Sequence, residues 1–120
     1  MNDQVKILLI DDNKETVSGL ESYLTGKYRI VTANDGLAGM KAFENDREEI
    51  GLIITDLIMP VISGVTLIAA IKRKAPKLPI IAITGWCPHP EGLGTDAKAD
   101  LVFDKPFEME DLDQAIKKLL

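Results

Sequence analysis

The chain has 120 residues, of which 46% are hydrophobic and 28% charged, with a net charge of −5. That length suits one ordinary domain burying roughly two-thirds of its unfolded surface, and the composition excludes disordered and fibrous architectures. Its longest unbroken apolar runs, Ile7-Leu8-Leu9-Ile10 and Ile80-Ile81-Ala82-Ile83, fall far short of a bilayer span of about 20 residues, and its acidic balance argues against nucleic-acid binding.

Met1 to Gln4 carry neither a basic region nor an apolar stretch of the secretory type, and Cys87 is the lone cysteine. No internal disulfide can form, and a reducing cytoplasmic setting is expected. One domain over residues 1–120 is the expectation, because no repeat, low-complexity tract or linker-like composition shift interrupts the sequence.

In chain order, short β-rich apolar runs at Val5–Ile10, Arg29–Ala33, Leu52–Thr55, Pro79–Thr84 and Leu101–Phe103 predict five strands. Helical stripes lie between and after them. They are formed by Val17, Leu20 and Leu24; Leu37, Met40 and Phe43; Gly64, Leu67, Ile68 and Ile71; and Leu112, Ala115, Ile116 and Leu119. Lys72-Arg73-Lys74 with Lys77 reads as the cationic end of the third helix. Between the fourth and fifth strands, Gly85 to Gly94 hold two prolines and three glycines, so the fourth helix there is expected to be short or irregular.

Alternating strands and helices predict an α/β fold with right-handed crossovers and helices on both faces of a parallel sheet. The polar residues gather where the strands stop: Asp11-Asp12 after the first, Asp56 after the third, Thr84 after the fourth and Asp104-Lys105-Pro106 after the fifth. In a doubly wound sheet of order 2-1-3-4-5 these ends meet at one crevice, while the second strand, ending in the plain turn Asn34-Asp35-Gly36, is an edge. Asp12-Asn13 is also placed to cap the first helix, and Phe107 to pack near the start of the last.

Asp11, Asp12 and Asp56 brought together would repel, and Lys105 offsets one charge only. A divalent cation removes the conflict, and an all-oxygen ligand set selects Mg²⁺, with Mn²⁺ able to substitute, over zinc or copper. With Lys105 and the Thr84 hydroxyl converging, the crevice is a cradle for a phosphoryl group whose natural acceptor is the Asp56 carboxylate.

These residues, in this order and spacing, resemble the receiver domain of two-component response regulators over nearly the whole chain. The resemblance is carried by Asp11-Asp12, by Asp56-Leu57-Ile58-Met59-Pro60 with Ser63-Gly64, by Thr84, and by Lys105-Pro106-Phe107. It implies a flavodoxin-like fold and a cis bond before Pro106. Asp56 would be the phosphoacceptor, with Mg²⁺ bound directly by Asp12, Asp56 and the Ile58 carbonyl and by Asp11 mostly through water. Lys105 and Thr84 would hold the phosphate, delivered from a histidine of a sensor histidine kinase or histidine phosphotransfer protein. The module would then switch an unknown output partner, without being a turnover enzyme, and would be a monomer when unphosphorylated.

Two departures from that family stand out. Val102 occupies a place where an aromatic is usual, and Thr84 is followed by Gly85-Trp86. Val102 with Pro88 and Pro90 predicts switching through reordering of the Gly85–Gly94 loop, and the large apolar Ile58 and Trp86 flanking the approach to the acyl phosphate predict slow hydrolysis. The competing readings are a receiver-like interaction module that works without phosphorylation and a Mg²⁺-dependent phosphohydrolase. The latter would need a second acid/base aspartate and a cap domain. A flavodoxin-type FMN carrier would need a phosphate loop where Asp11-Asp12-Asn13 stands.

Overall fold

The computed structural model describes residues 5–59, 62–85 and 99–120. In chain order the elements are β1 (Lys6–Ile10), α1 (Lys14–Leu24), β2 (Arg29–Ala33), α2 (Gly36–Asn45), β3 (Ile50–Asp56), α3 (Gly64–Lys74), β4 (Ile80–Thr84), β5 (Leu101–Asp104) and α4 (Met109–Leu119). The strands form one parallel sheet in the order β2-β1-β3-β4-β5, as the distribution of polar strand ends requires. The irregular helix expected between β4 and β5 falls on residues 86–98, outside the described ones.

Each central strand is apolar on both faces because helices cover both. Leu8, Ile10, Ile53 and Leu57 pack with Phe43, Leu67, Ile68 and Ile71 on one side. Ile7, Leu9, Ile54, Ile81 and Ile83 pack with Leu20, Leu24, Leu112 and Ile116 on the other. Burying each such side chain contributes about 1.5–3 kcal/mol, which makes the two layers the main source of stability.

β3 starts two residues earlier than the apolar run suggests. Lys6 pairs with Ile50 but Ile7 with Leu52, so Gly51 is an extra residue in the ladder, and a glycine inside an apolar run reads as a break. α2 also differs: its buried face is Gly36, Gly39 and Phe43, and Leu37 is 55% exposed. The reason is close approach, since a Cβ on Gly39 would lie 2.6 Å from Ile10 Cδ1 and one on Gly36 2.8 Å from Ile62 Cβ, and seating these glycines inward turns Leu37 outward.

α1 is capped by Asn13 rather than Asp12, its Oδ1 accepting from the amides of Glu15 at 2.9 Å and Thr16 at 3.1 Å. α3 buries the four predicted positions, is capped by Ser63, and ends in Lys72, Arg73 and Lys74, which complement its dipole. α4 buries Leu112, Ala115 and Ile116 as expected, together with Asp113. That carboxylate accepts from Lys27 Nζ at 3.0 Å and the Tyr28 hydroxyl at 3.1 Å, fastening α4 to the turn between α1 and β2. These donors hold Asp113 below the usual carboxylate range, and burial beside Asp113 pushes the Tyr28 hydroxyl up to about 12.

Candidate functional site

Parallel pairing sets the carboxyl ends of β1, β3, β4 and β5 side by side, with Asp56 opposite Ile83 and Thr84 opposite Asp104. Asp11 and Asp12 follow β1 directly, and the Asp11 amide donates to the Ala33 carbonyl at 3.1 Å, continuing the ladder one residue past the strand. Leu57 likewise donates to the Ile83 carbonyl at 2.9 Å, and Lys105 to the Thr84 carbonyl at 2.8 Å. These backbone bonds fix where the polar side chains emerge.

Carboxylate oxygens of Asp11, Asp12 and Asp56 all lie within 4.8 Å of one another. Asp11 and Asp56 are buried, whereas Asp12 is exposed at the mouth. Asp11 Oδ1 accepts the Asn13 amide at 2.9 Å, and its Oδ2 accepts Lys105 Nζ at 3.1 Å. Lys105 Nζ stands 4.0 Å from Asp56 Oδ2, so one ammonium faces both buried carboxylates. Ile58 is 54% exposed on the rim, with its amide 3.4 Å from Asp56 Oδ1. The Lys105–Pro106 bond is cis, and beyond it Phe107 packs edge-on against Phe103 at 5.7 Å.

Burial is the main reason the Asp56 carboxyl is pushed up to about 6. The charge of Asp11 pushes the same way and that of Asp12 less so, while Lys105 and the Ile58 amide oppose them. Three carboxylates against one ammonium leave an uncompensated negative charge in a low-dielectric pocket. The donor set is all oxygen, which suits a hard divalent cation and not a thiophilic one.

Thr84 is 1% exposed, and its Oγ1 has no hydrogen-bond partner among the described residues. A buried hydroxyl without a partner costs about 1–3 kcal/mol and is rare in folded proteins. It stands at the end of β4, and the Thr84 carbonyl accepts the Lys105 amide.

Asp11, Asp12, Asp56, Ile58, Thr84 and Lys105 therefore stand at this one sheet edge. Val102 pairs with Ala82 and packs half-buried against the α2–α3 layer. Trp86 and most of the Gly85–Gly94 loop lie outside the described residues. Thr55 went unremarked in the sequence because a β-branched residue within a strand carries no chemical signal.

An open doubly wound sheet with an acidic, lysine-bearing crevice at its carboxyl edge defines a class of phosphate- and metal-binding α/β domains. The sequence pattern of the response regulator receiver domain matches residues 7–117. The chain belongs to this family: it is a receiver domain of two-component signalling systems. It is 32% identical over 116 residues to the transcriptional regulatory protein GlrR of Escherichia coli, covering 95% of this chain and 26% of GlrR. The chain spans a quarter to about half the length of the curated relatives it matches. A receiver domain from Clostridium thermocellum superposes with TM-score 0.89 at 28% identity, covering 96% of this chain and 93% of the other. The response regulator TrrA from Thermotoga maritima, solved in complex with Mg(2+)-BeF, does so with TM-score 0.87 at 31% identity, covering 98% and 100%.

Proposed function

We propose that Asp56 is the phosphoacceptor of a two-component phosphorelay, taking a phosphoryl group from a phosphohistidine of a sensor histidine kinase or histidine phosphotransfer protein. The observation that carries this is the convergence at one sheet edge of three carboxylates, one ammonium and a buried hydroxyl that has no partner among the described residues. Asp11, Asp12, Asp56 and the Ile58 carbonyl would hold Mg²⁺, or Mn²⁺ in its place. When bound, the ion supplies positive charge to the crowded carboxylates and to the phosphoryl oxygens. The Mg(2+)-BeF complex of the similar TrrA supports that choice of ion.

In the transfer, an Asp56 Oδ forms a bond to phosphorus as the phosphorus–nitrogen bond of the donor breaks, and the departing imidazole keeps the electron pair. No general base is required, because a carboxyl titrating at about 6 is mostly ionised at neutral pH. Lys105 offsets charge on the phosphoryl oxygens, and the Thr84 hydroxyl donates to one of them. Each residue serves a single acceptor, so the domain is a signalling switch and not a turnover catalyst. We read residues 1–120 as one receiver domain acting in the cytoplasm. It is monomeric before phosphorylation, makes no direct contact with nucleic acid, and acts through an output partner. Among the described residues no helix is long and apolar enough to cross a membrane.

Intact mass after incubation with Mg²⁺ and acetyl phosphate tests the proposal. One added phosphoryl group, lost in Asp56→Asn and without Mg²⁺, is expected. A domain that binds Mg²⁺ but gains no mass from acetyl phosphate or a phosphohistidine donor would instead be an interaction module working without phosphorylation.

A further inference from the structure

The acceptor's carboxylate can be held no better than the peptide that carries it. At Asp56 the strand ends and the chain turns toward α3, where a loose peptide would let the side chain swing. Leu57 is fixed on both sides, its amide donating to Ile83 and its carbonyl accepting the Gly64 amide, each at 2.9 Å. Asp56 is fixed differently: its carbonyl accepts the hydroxyl of its own neighbour Thr55, at 3.0 Å.

Thr55 is fully buried, and Ile53 and Leu57, which share its face of β3, pack within the α2–α3 layer. A hydroxyl in such surroundings is costly unless bonded, and a valine would fill the place with the same shape. The hydroxyl spends its donor on the carbonyl of the acceptor residue. The start of α3 comes close to the same carbonyl. A Cβ on Gly64 would sit 1.9 Å from the Asp56 carbonyl oxygen and 2.6 Å from Leu57 Cα. The carbonyl thus meets both the Thr55 hydroxyl and the start of a helix that can approach only because residue 64 has no side chain.

We propose that Thr55 is a positioning residue for phosphoryl transfer, its hydroxyl fixing the Asp56–Leu57 peptide and thereby the acceptor carboxylate and the Ile58 amide that faces it. The inference rests on Asp56 being the acceptor. Without the hydroxyl, this peptide keeps only the bond from the Leu57 amide to Ile83, so it tilts about that one anchor and the Asp56 oxygen meets the phosphorus less often in line, which slows transfer without removing any group that touches the phosphate.

The test compares wild type, Thr55→Val and Thr55→Ser in the intact protein with Mg²⁺ and acetyl phosphate, alongside backbone NMR of the Asp56 carbonyl carbon and the Ile58 amide. Thr55→Val is expected to slow phosphorylation about tenfold and to shift both resonances, with Thr55→Ser restoring rate and resonances. A Thr55→Val protein with wild-type rate and resonances would overturn the proposal, as would a Thr55→Ser protein as slow as Thr55→Val, since volume rather than the hydroxyl would then matter. If the wild type accepts no phosphoryl group, the acceptor assignment falls, and the NMR comparison alone decides whether Thr55 fixes this peptide. Gly64→Ala is expected to lower the rate further where it folds, and equal rates for Gly64→Ala and wild type would remove the close approach from which the inference starts.

Discussion

Replacing Asp56 by asparagine should make the metal-free protein more stable, because the site holds a charge that the fold alone does not want. The carboxyl titrates at about 6 in the folded chain against 3.8 ordinarily, which corresponds to about 3 kcal/mol of penalty on the ionised form. The folded value is the raised one, so the penalty is absent below pH 3.8, grows from there to about 6, and is complete above. Asp56→Asn keeps the shape and removes the charge, so it should gain up to about 3 kcal/mol near pH 8, or about 10 °C in melting temperature for a domain of this size. Calorimetry in chelator near pH 8 and near pH 4 measures both ends of that range. Adding Mg²⁺ should stabilise the wild type and leave Asp56→Asn nearly unchanged, narrowing the gap. Equal melting temperatures near pH 8 would refute the electrostatic account. A gain of the same size near pH 4 would trace the effect to packing instead of charge.

Thr84→Val removes a buried hydroxyl that has no partner among the described residues, so melting temperature should hold or rise by the equivalent of about 1 kcal/mol, while phosphorylation, followed by mass, slows severalfold. A marked loss of stability would show that the hydroxyl serves the resting fold. Asp113→Asn should cost about 1 kcal/mol at neutral pH by weakening its bonds to Lys27 and Tyr28. Asp113 is held below the usual range, so its contribution is present above pH 3.8 and lost as pH falls through its still lower folded value. Urea titrations of both proteins should therefore differ at neutral pH and converge in strong acid, and a difference that persists in acid would exclude the charge of Asp113 as its source.

Strand order was legible because chemistry and periodicity agreed: four apolar runs end in polar groups and one ends in a plain turn, which only an edge position for β2 explains. The crevice residues were legible for the same reason, each standing within two residues of the end of an apolar run. Features set by close approach left no periodic signature. Leu37 looked like core until Gly39 was found against Ile10, and the Gly51 bulge hid the first two residues of β3. Asp113 interrupts an apolar stripe, and its partners lie 85 and 86 positions away, beyond any local pattern. Thr55 passed for ordinary strand chemistry, because its hydroxyl acquires meaning only once the start of α3 is seen above Asp56.

The ion pair between Asp11 and Lys105 joins residues 94 positions apart. Ribosomal synthesis delivers the aspartates of β1 and β3 long before the lysine that offsets them. A chain interrupted short of Lys105 would hold its carboxylates without their cation and lack the amide that Thr84 receives. The charge balance of the crevice is therefore set by tertiary contact between the ends of β1 and β5 and by no local stretch of the chain.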